Sequence, residues 1–392
     1  MPAAPDTAGQ RELRQARAYL NRVAEPPAPA LAGFVAEVGP VRAARLVLAG
    51  RVPQRVATET AGRRDDDRAA ADLAEIAALG GRLVTPEDDE WPTEAFRCFA
   101  TPTALADERW CAPMALWARG AARVDELGER CVAVVGARAA TDYGEHVAAD
   151  FGYGLADAGW AVVSGAAFGI DAAAHRGALS ADGCTVAVQA CGLDQGYPAG
   201  HRRMLDQITA HGAVVSEYPP GVRPARYRFL VRNRLIAALA EGTVVVEAGV
   251  RSGARRTATA AAALGRVVMA VPGPVTSAVS VGCHALIRDE QALVVTRVPE
   301  IVEAVGRLGA DLAPPVDSSP PRPTDGLARE LLAVFEALPA RGCRHPEQLA
   351  QESALPLHRV RAALPLLELQ GLVECAVTGW HRVAAHRPRG GA

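Results

Sequence analysis

CVAVVGARAATDYG (residues 131–144) and WAVVSGAAFGIDAAAHRGAL (160–179) share one plan: a short apolar run, a turn at glycine, then a helix-like pattern. Runs that are apolar at every position, rather than every second one, belong to strands buried on both faces, as in a parallel sheet covered by helices. The plan repeats outward. CTVAVQA (184–190), AVVSE (213–217), TVVVEA (243–248) and RVVMAV (266–271) read as strands, with helices expected over 143–158, 171–179, 201–210, 231–240 and 257–264. Alternating strands and helices make an α/β, Rossmann-like domain, placed at residues 109–309.

On either side the pattern changes. Pro26, Pro27 and Pro29 separate the first residues from the next apolar pattern, so residues 1–30 are expected to be a disordered tail. Residues 31–108 are expected to be an N-terminal helical domain and connector. Within it LAGFVAEVGPVRAARLVLAG (31–50) has a SAM-like or helix-hairpin-helix-like character around Gly39-Pro40, and Trp91-Pro92 opens a proline-punctuated connector. LAPPVDSSPPRPT, within 310–324, reads as a stiff Pro-rich linker. Residues 325–392 then give three helical stretches and an alternating tail, VECAVTGWHRV, the order of a winged-helix domain. Pro365 lies inside the third helix and is expected to kink or shorten it.

The chain has 392 residues, a formal net charge of -2 and 49% hydrophobic residues, enough to bury a core without disulfides or metal. All 42 basic residues are arginine. A lysine-free chain cannot carry a G-x-x-x-x-G-K-[ST] loop, so Walker-type ATP hydrolysis is excluded, and G-x-G-x-x-G is absent after the first strand. The eight cysteines form no Cys-x-x-Cys pair, so no metal site and no cofactor is expected. With no signal pattern and no long apolar run, a cytoplasmic protein with no membrane association is expected. Local charge departs from the average: residues 201–234 hold seven arginines against two acids, a net of +5, and residues 251–266 hold four arginines and no acid.

Three segments carry chemistry. In GARAATDYG, Gly136 turns the backbone off its strand, Thr141 or Asp142 can cap the next helix, and Arg138 reaches over the helix start. In VVSGAAFGIDAAAHRGAL, the Ser164 hydroxyl and the Gly165 N–H are candidates to hold a phosphate. Asp171 and His175, four apart on one helix face, are expected to pair and lock that loop rather than act as acid and base. In PARYRFLVRNRLIAAL (224–239), Arg226, Arg228, Arg232 and Arg234 surround Tyr227 and Phe229, mixing phosphate-neutralising charge with aromatic faces on which unpaired bases stack.

Those segments, together with CGLDQGYPAGH, VVSEYPPG, VVVEAGVRSG with Thr257-Ala258, and AVPGPVTSAVSVGCHALI, resemble the DprA/Smf family of bacterial DNA-processing proteins over most of the chain from Leu31 onward. The resemblance implies single-stranded DNA binding in a Rossmann-like pocket, delivery of that DNA to the recombinase RecA, a homodimer, and no catalytic residue. Carried onto this sequence, it places the pocket at Gly136, Arg138, Ser164, Gly165, Arg226 and Phe229, the last as the base-stacking ring. Arg232, Asn233 and Arg234 are its expected wall, with Ser252, Gly253 and Arg255 beyond it. The chain departs from the family pattern at His201, where asparagine is usual, at SGARRTA (252–258), which brings in Arg255 and Arg256, and at Cys283-His284. Two other classes compete. Similar folds serve nucleoside-monophosphate glycoside hydrolases, but VVVEAGVRSGARRTA keeps only a glutamate, Glu247, without their Pro-Gly-Gly-x-Gly-Thr loop. A winged-helix transcription factor is the third reading, disfavoured by Pro365.

Overall fold

The computed structural model describes residues 7–126, 130–307, 309–314 and 324–383. It divides into two units, Met1–Ala313 and Pro314–Ala392. Most of the expected linker, 315–323, lies outside the described residues.

The first unit is built on a nine-stranded sheet. Its strands are β1 (Gly81–Val84), β2 (Leu116–Arg119), β3 (Cys131–Val135), β4 (Ala161–Ser164), β5 (Thr185–Gln189), β6 (Ala213–Ser216), β7 (Gly242–Val245), β8 (Val267–Ala270) and β9 (Leu293–Val294). They lie in the order β1-β2-β6-β5-β4-β3-β7-β8-β9. From β6 to β9 every pairing is parallel, while β1 and β2 join antiparallel at the β6 edge. The connector therefore contributes two strands that its sequence, broken by proline, does not advertise.

Helices α1 (Ala8–Val23), α2 (Pro29–Val38), α3 (Pro40–Leu48), α4 (Gln54–Thr60) and α5 (Ala69–Ala78) form the N-terminal layer, followed by the short α6 (Thr93–Phe96) and α7 (Pro102–Leu105). Helices α8 (Asp142–Asp157), α9 (Ile170–Ser180), α10 (Arg202–His211), α11 (Arg226–Ala238), α12 (Gly253–Ala263), α13 (Val281–Arg288) and α14 (Val298–Val305) belong to the α/β core. The alternation of side chains along each strand separates two layers. Val132, Val134 and Val162 pack with α8, α9 and α14, whereas Ala133, Val135 and Val163 pack with α11 and α12. Two helices start earlier than the apolar pattern predicts. Arginines 226 and 228 hide the first turn of α11 from an apolar-period reading, and Ser252, whose hydroxyl accepts the Ala254 N–H at 3.2 Å, caps α12 four residues ahead of the expected start.

The expected disordered tail is corrected. Residues 8–23 are a helix with a Thr7 capping box, and Tyr19, Leu20 and Val23 are buried. The proline cluster marks the end of this helix, not the start of order. Polar anchors hold it down: Asn21 donates to the Glu217 carbonyl at 2.9 Å and accepts the buried Trp117 indole N–H at 2.7 Å. Arg22 meets the fully buried Asp72 carboxylate through Nε and Nη2, and Nη2 also reaches the Pro220 carbonyl. Gly39, at φ +82°, makes the sharp junction between α2 and α3 that the Gly-Pro pair announces.

The second unit packs α15 (Arg329–Ala337), α16 (Pro346–Ser353) and α17 (Leu357–Leu369) against a hairpin of β10 (Val373–Ala376) and β11 (Gly379–Arg382). Its core is Val334, Leu338, Leu349, Val360, Leu364, Leu367 and Val373. Of the expected kink or shortening at Pro365, the shortening does not occur: α17 runs on to Leu369, with buried Leu364 and Leu367 on either side of the proline.

Removing residues 1–24 should therefore destabilise the first unit instead of trimming it harmlessly, and Asn21→Ala alone should cost about 1–3 kcal/mol by leaving the Trp117 indole unpartnered. Urea unfolding followed by fluorescence measures both; a truncated chain with the wild-type midpoint would contradict the anchoring role.

Candidate functional site

The loops after β3, β4 and β5 leave the same end of the parallel sheet, where ligands bind in α/β folds. Gly169 brings the first two together. It sits at φ +73°, and any side chain there would strike the backbone of Ala137 and Arg138. The first loop is braced from below by Glu247, whose carboxylate accepts both the N–H (2.9 Å) and the hydroxyl of Thr141. Thr141, not Asp142, caps α8, accepting the Gly144 N–H at 3.1 Å.

The second loop is locked by Asp171, which accepts the N–H groups of Gly165 (3.1 Å) and Ala167 (3.4 Å). Burial raises the Asp171 carboxyl against the opposing pull of Arg232 and these backbone donors. His175 does not join it, correcting the expected pair. Its Nδ1 meets the Thr185 hydroxyl at 2.7 Å, its Nε2 is buried with no hydrogen-bond partner among the described residues, and burial, with the nearby charges of His201 and Arg232, lowers its pKa to about 3. His201 occupies its place in the family pattern usefully: Nδ1 pairs with the Ala166 carbonyl at 2.9 Å and its ring lies edge-on to Phe168, centroids 4.4 Å apart.

Above these loops lies a narrow aromatic cleft. Phe229, on the first turn of α11, faces Tyr197 at 5.4 Å between centroids, and the Arg138 guanidinium lies over its ring at 5.0 Å. Gly165, Phe168 and Gln189 complete the lining, and the enclosed volume is about 20 Å³, room for a water and not for a base. A base stacking on Phe229 must take the place of Arg138 or use the open rim, where Phe168 is 52% exposed. Sequence reasoning misses Phe168 and Tyr197, although each is a large aromatic set beside a glycine in a turn, Phe168-Gly169 and Gly196-Tyr197, which is the signal that could find them.

Other sequence candidates lie deeper. The Ser164 hydroxyl is fully buried and donates to the Val134 carbonyl at 2.6 Å, which corrects its reading as a phosphate ligand. Gly136 and Gly165 are small because of protein neighbours: a side chain would strike Ile170 at the first and the Arg232 guanidinium at the second. Arg232 is itself buried, donating to the carbonyls of Gly165 (2.9 Å) and Val188, and burial depresses its pKa to about 10. Arg234 is withdrawn entirely, paired in two 2.7 Å hydrogen bonds with the buried Glu217 carboxylate. Asn233 ties α11 to α12 through the Gly253 carbonyl at 3.3 Å. Arg228 is spent on Glu25 (2.7 Å), leaving Arg226 as the exposed cation of this helix. Ser252, with Arg255, lines a different recess, beside Leu230 rather than Phe229.

Residues 82–306 match the model of the family described as DNA recombination-mediator protein A, and residues 318–376 that of the DprA winged helix domain. The chain belongs to the DprA/Smf family. It is 53% identical over 376 residues, 95% of each chain, to the protein of Mycobacterium tuberculosis named "Putative DNA processing protein DprA". It is also 37% identical over 242 residues to the DNA processing protein DprA of Streptococcus pneumoniae, covering 59% of this chain and 85% of that one. The X-ray structure of the pneumococcal protein superposes with a TM-score of 0.60 at 29% identity, over 76% of this chain and 98% of that one. The family's mixed α/β architecture and winged helix are thus those described above. Among the described residues no helix is long and apolar enough to cross a membrane.

Because His175 is neutral in the native state down to about pH 3 but takes a proton near pH 6.5 once unfolded, stability should fall as pH drops through that window and be unaffected by this residue above it. Replacing His175 with Gln should remove up to about 1.4 kcal/mol per pH unit of that slope, read from urea midpoints across the window.

Proposed function

We propose that this protein is a non-enzymatic, cytoplasmic single-stranded DNA-binding recombination mediator that protects DNA and loads RecA, in natural transformation or in general recombination, working as a homodimer. The observation that carries the reading is the Phe229 ring held among Arg138, Tyr197 and the exposed Phe168. An aromatic face beside the Arg138 guanidinium suits a strand whose bases are free to stack and whose phosphates are closely spaced, and a duplex offers no such base faces. Delivery to RecA and dimerisation rest on the family membership.

The direct contacts in this reading are Arg138, Arg226 and Phe229. Gly136, Ser164, Gly165, Arg232 and Asn233 hold the loops and the helix that present them. The titratable groups nearby are already committed, which supports a binding role over turnover: Glu247 braces Thr141, Asp171 locks its loop, and His175 is neutral and buried. Glu247 is the glutamate on which the nucleoside-monophosphate hydrolase alternative depends, and it is 1% exposed.

Anisotropy titrations against a single strand and the matching duplex test the proposal. Phe229→Ala should weaken single-strand binding by about 1–3 kcal/mol with little change in sequence preference. Arg138→Ala should lower the slope of log K against log salt by about 0.7, one phosphate contact on a single strand. Equal affinity of the wild type for single strand and duplex would remove the mediator reading, and release of free base from AMP would replace it with the hydrolase.

A further inference from the structure

Arg255 and Arg256, where the family pattern has smaller side chains, do not face the Phe229 cleft. With Arg251 they stand around a second recess, of about 600 Å³, on the other side of α11. Its apolar wall is Trp110, Leu230 and Val250, the last two 44% and 61% exposed. Five arginines line it and no acid does. Two are already neutralised, Arg234 by Glu217 and Arg109 by Asp107. Arg255 donates to the Val250 carbonyl at 3.0 Å and so shapes the rim. Arg251 and Arg256 have no ion pair among the described residues and are exposed.

Unneutralised arginines around an aromatic and aliphatic hollow are what a nucleotide requires: charge for the phosphate, apolar surface for the base. The hollow is far larger than the Phe229 cleft, and the two are separated only by the first turn of α11. Phe229 and Leu230 are successive residues, about 100° apart around a helix of roughly 10 Å diameter, so one strand crossing that turn can reach both. Exposed Arg226 and Tyr227 stand at the crossing. A larger groove beside α1 and β1, about 780 Å³, lacks this character, since ion pairs such as Arg14–Asp88 balance its charges.

We infer that the Trp110 recess is a second nucleotide subsite, which seats a base of the same single strand that occupies the Phe229 cleft, with its flanking phosphates on Arg251 and Arg256. This rests on the proposed single-strand function and extends it: the footprint spans both sides of α11, and Arg251 and Arg256 add phosphate contacts that only a strand long enough to cross the helix can make.

The test is anisotropy with oligothymidylates of graded length, at several salt concentrations, on the full chain carrying Arg251→Ala with Arg256→Ala, Trp110→Leu, or Phe229→Ala. In the wild type, affinity and salt slope should rise as the oligonucleotide grows long enough to leave the Phe229 cleft. The double arginine variant should lose about 1.4 of the slope, two phosphate contacts, with the loss confined to long oligonucleotides. An iodouracil base placed along the long strand should photocross-link to Trp110 at one register and not in the Trp110→Leu chain. If short oligonucleotides bind through Phe229 but the double variant keeps the wild-type slope on long ones, the second subsite is refuted and the first stands. If long strands depend on Arg251 and Arg256 while Phe229→Ala changes nothing, the subsite stands and the Phe229 reading fails. Full competition at the recess by thymidine monophosphate would make a free nucleotide its occupant, and equal competition by oligoglutamate an acidic peptide; either overturns the strand assignment.

Discussion

One buried cation organises the site. The Arg232 guanidinium, reaching from α11, joins the carbonyl that ends the β4 strand region at Gly165 to that of Val188 in β5, with the Asp171 carboxylate of α9 nearby. Removing such a charge from water is costly; the two carbonyls, both bonded to Nη1, and the nearby Asp171 carboxylate offset part of that cost, while Nε is buried with no hydrogen-bond partner among the described residues. Gly165 has no side chain because the guanidinium fills that space. The same group lies 6.0 Å beneath the Phe229 ring, so the clamp that fixes the loops also sets the height of the aromatic cleft above them.

This layering explains why the core was legible from sequence and the site only partly. Fully apolar strands, such as CVAVV and TVVVEA, have one meaning in a chain of this length, and glycines after them marked the loops. Periodicity failed where polar residues are buried. The helix carrying Asn21 and Arg22 looks like a polar tail until Trp117 and Asp72 are seen against it. The strand Leu116–Arg119 is too short, and too close to prolines, to stand out. Arg138 and Phe229, which the family resemblance places in one pocket, do meet in space, at 5.0 Å. Ser164, Arg232 and Arg234 carry the right chemistry in the wrong depth, and depth is set by which face of a helix or strand meets the sheet, a tertiary fact.

A chain without lysine makes the arginine pattern hard to weigh, since each arginine serves as both structural and surface cation. The structure separates the two uses within one helix. Arg228 and Arg234 are matched to Glu25 and Glu217 and Arg232 to carbonyls, while Arg226 is exposed and has no ion pair among the described residues. A local charge of +5 read from the sequence therefore overstates the field that a phosphate would meet at this helix. The cluster after β7 is different in kind, because Arg251 and Arg256 are exposed and have no ion pair among the described residues.

An overall charge of -2 is no obstacle to binding a polyanion under these conditions. Screening confines attraction between exposed charges to roughly 10 Å at ordinary ionic strength, so a bound strand would respond to the arginines it touches and little to the acids elsewhere. What matters is which guanidinium groups remain unspent after folding. Among them, Arg138, Arg226, Arg251 and Arg256 stand after β3, on the first turn of α11 and after β7, close to Phe229 or to the Trp110 recess. Folding pairs many of the described arginines with the chain's own carboxylates, as Arg228 is with Glu25 and Arg234 with Glu217, and an external phosphate would find its partners among those left exposed beside aromatic or apolar surface.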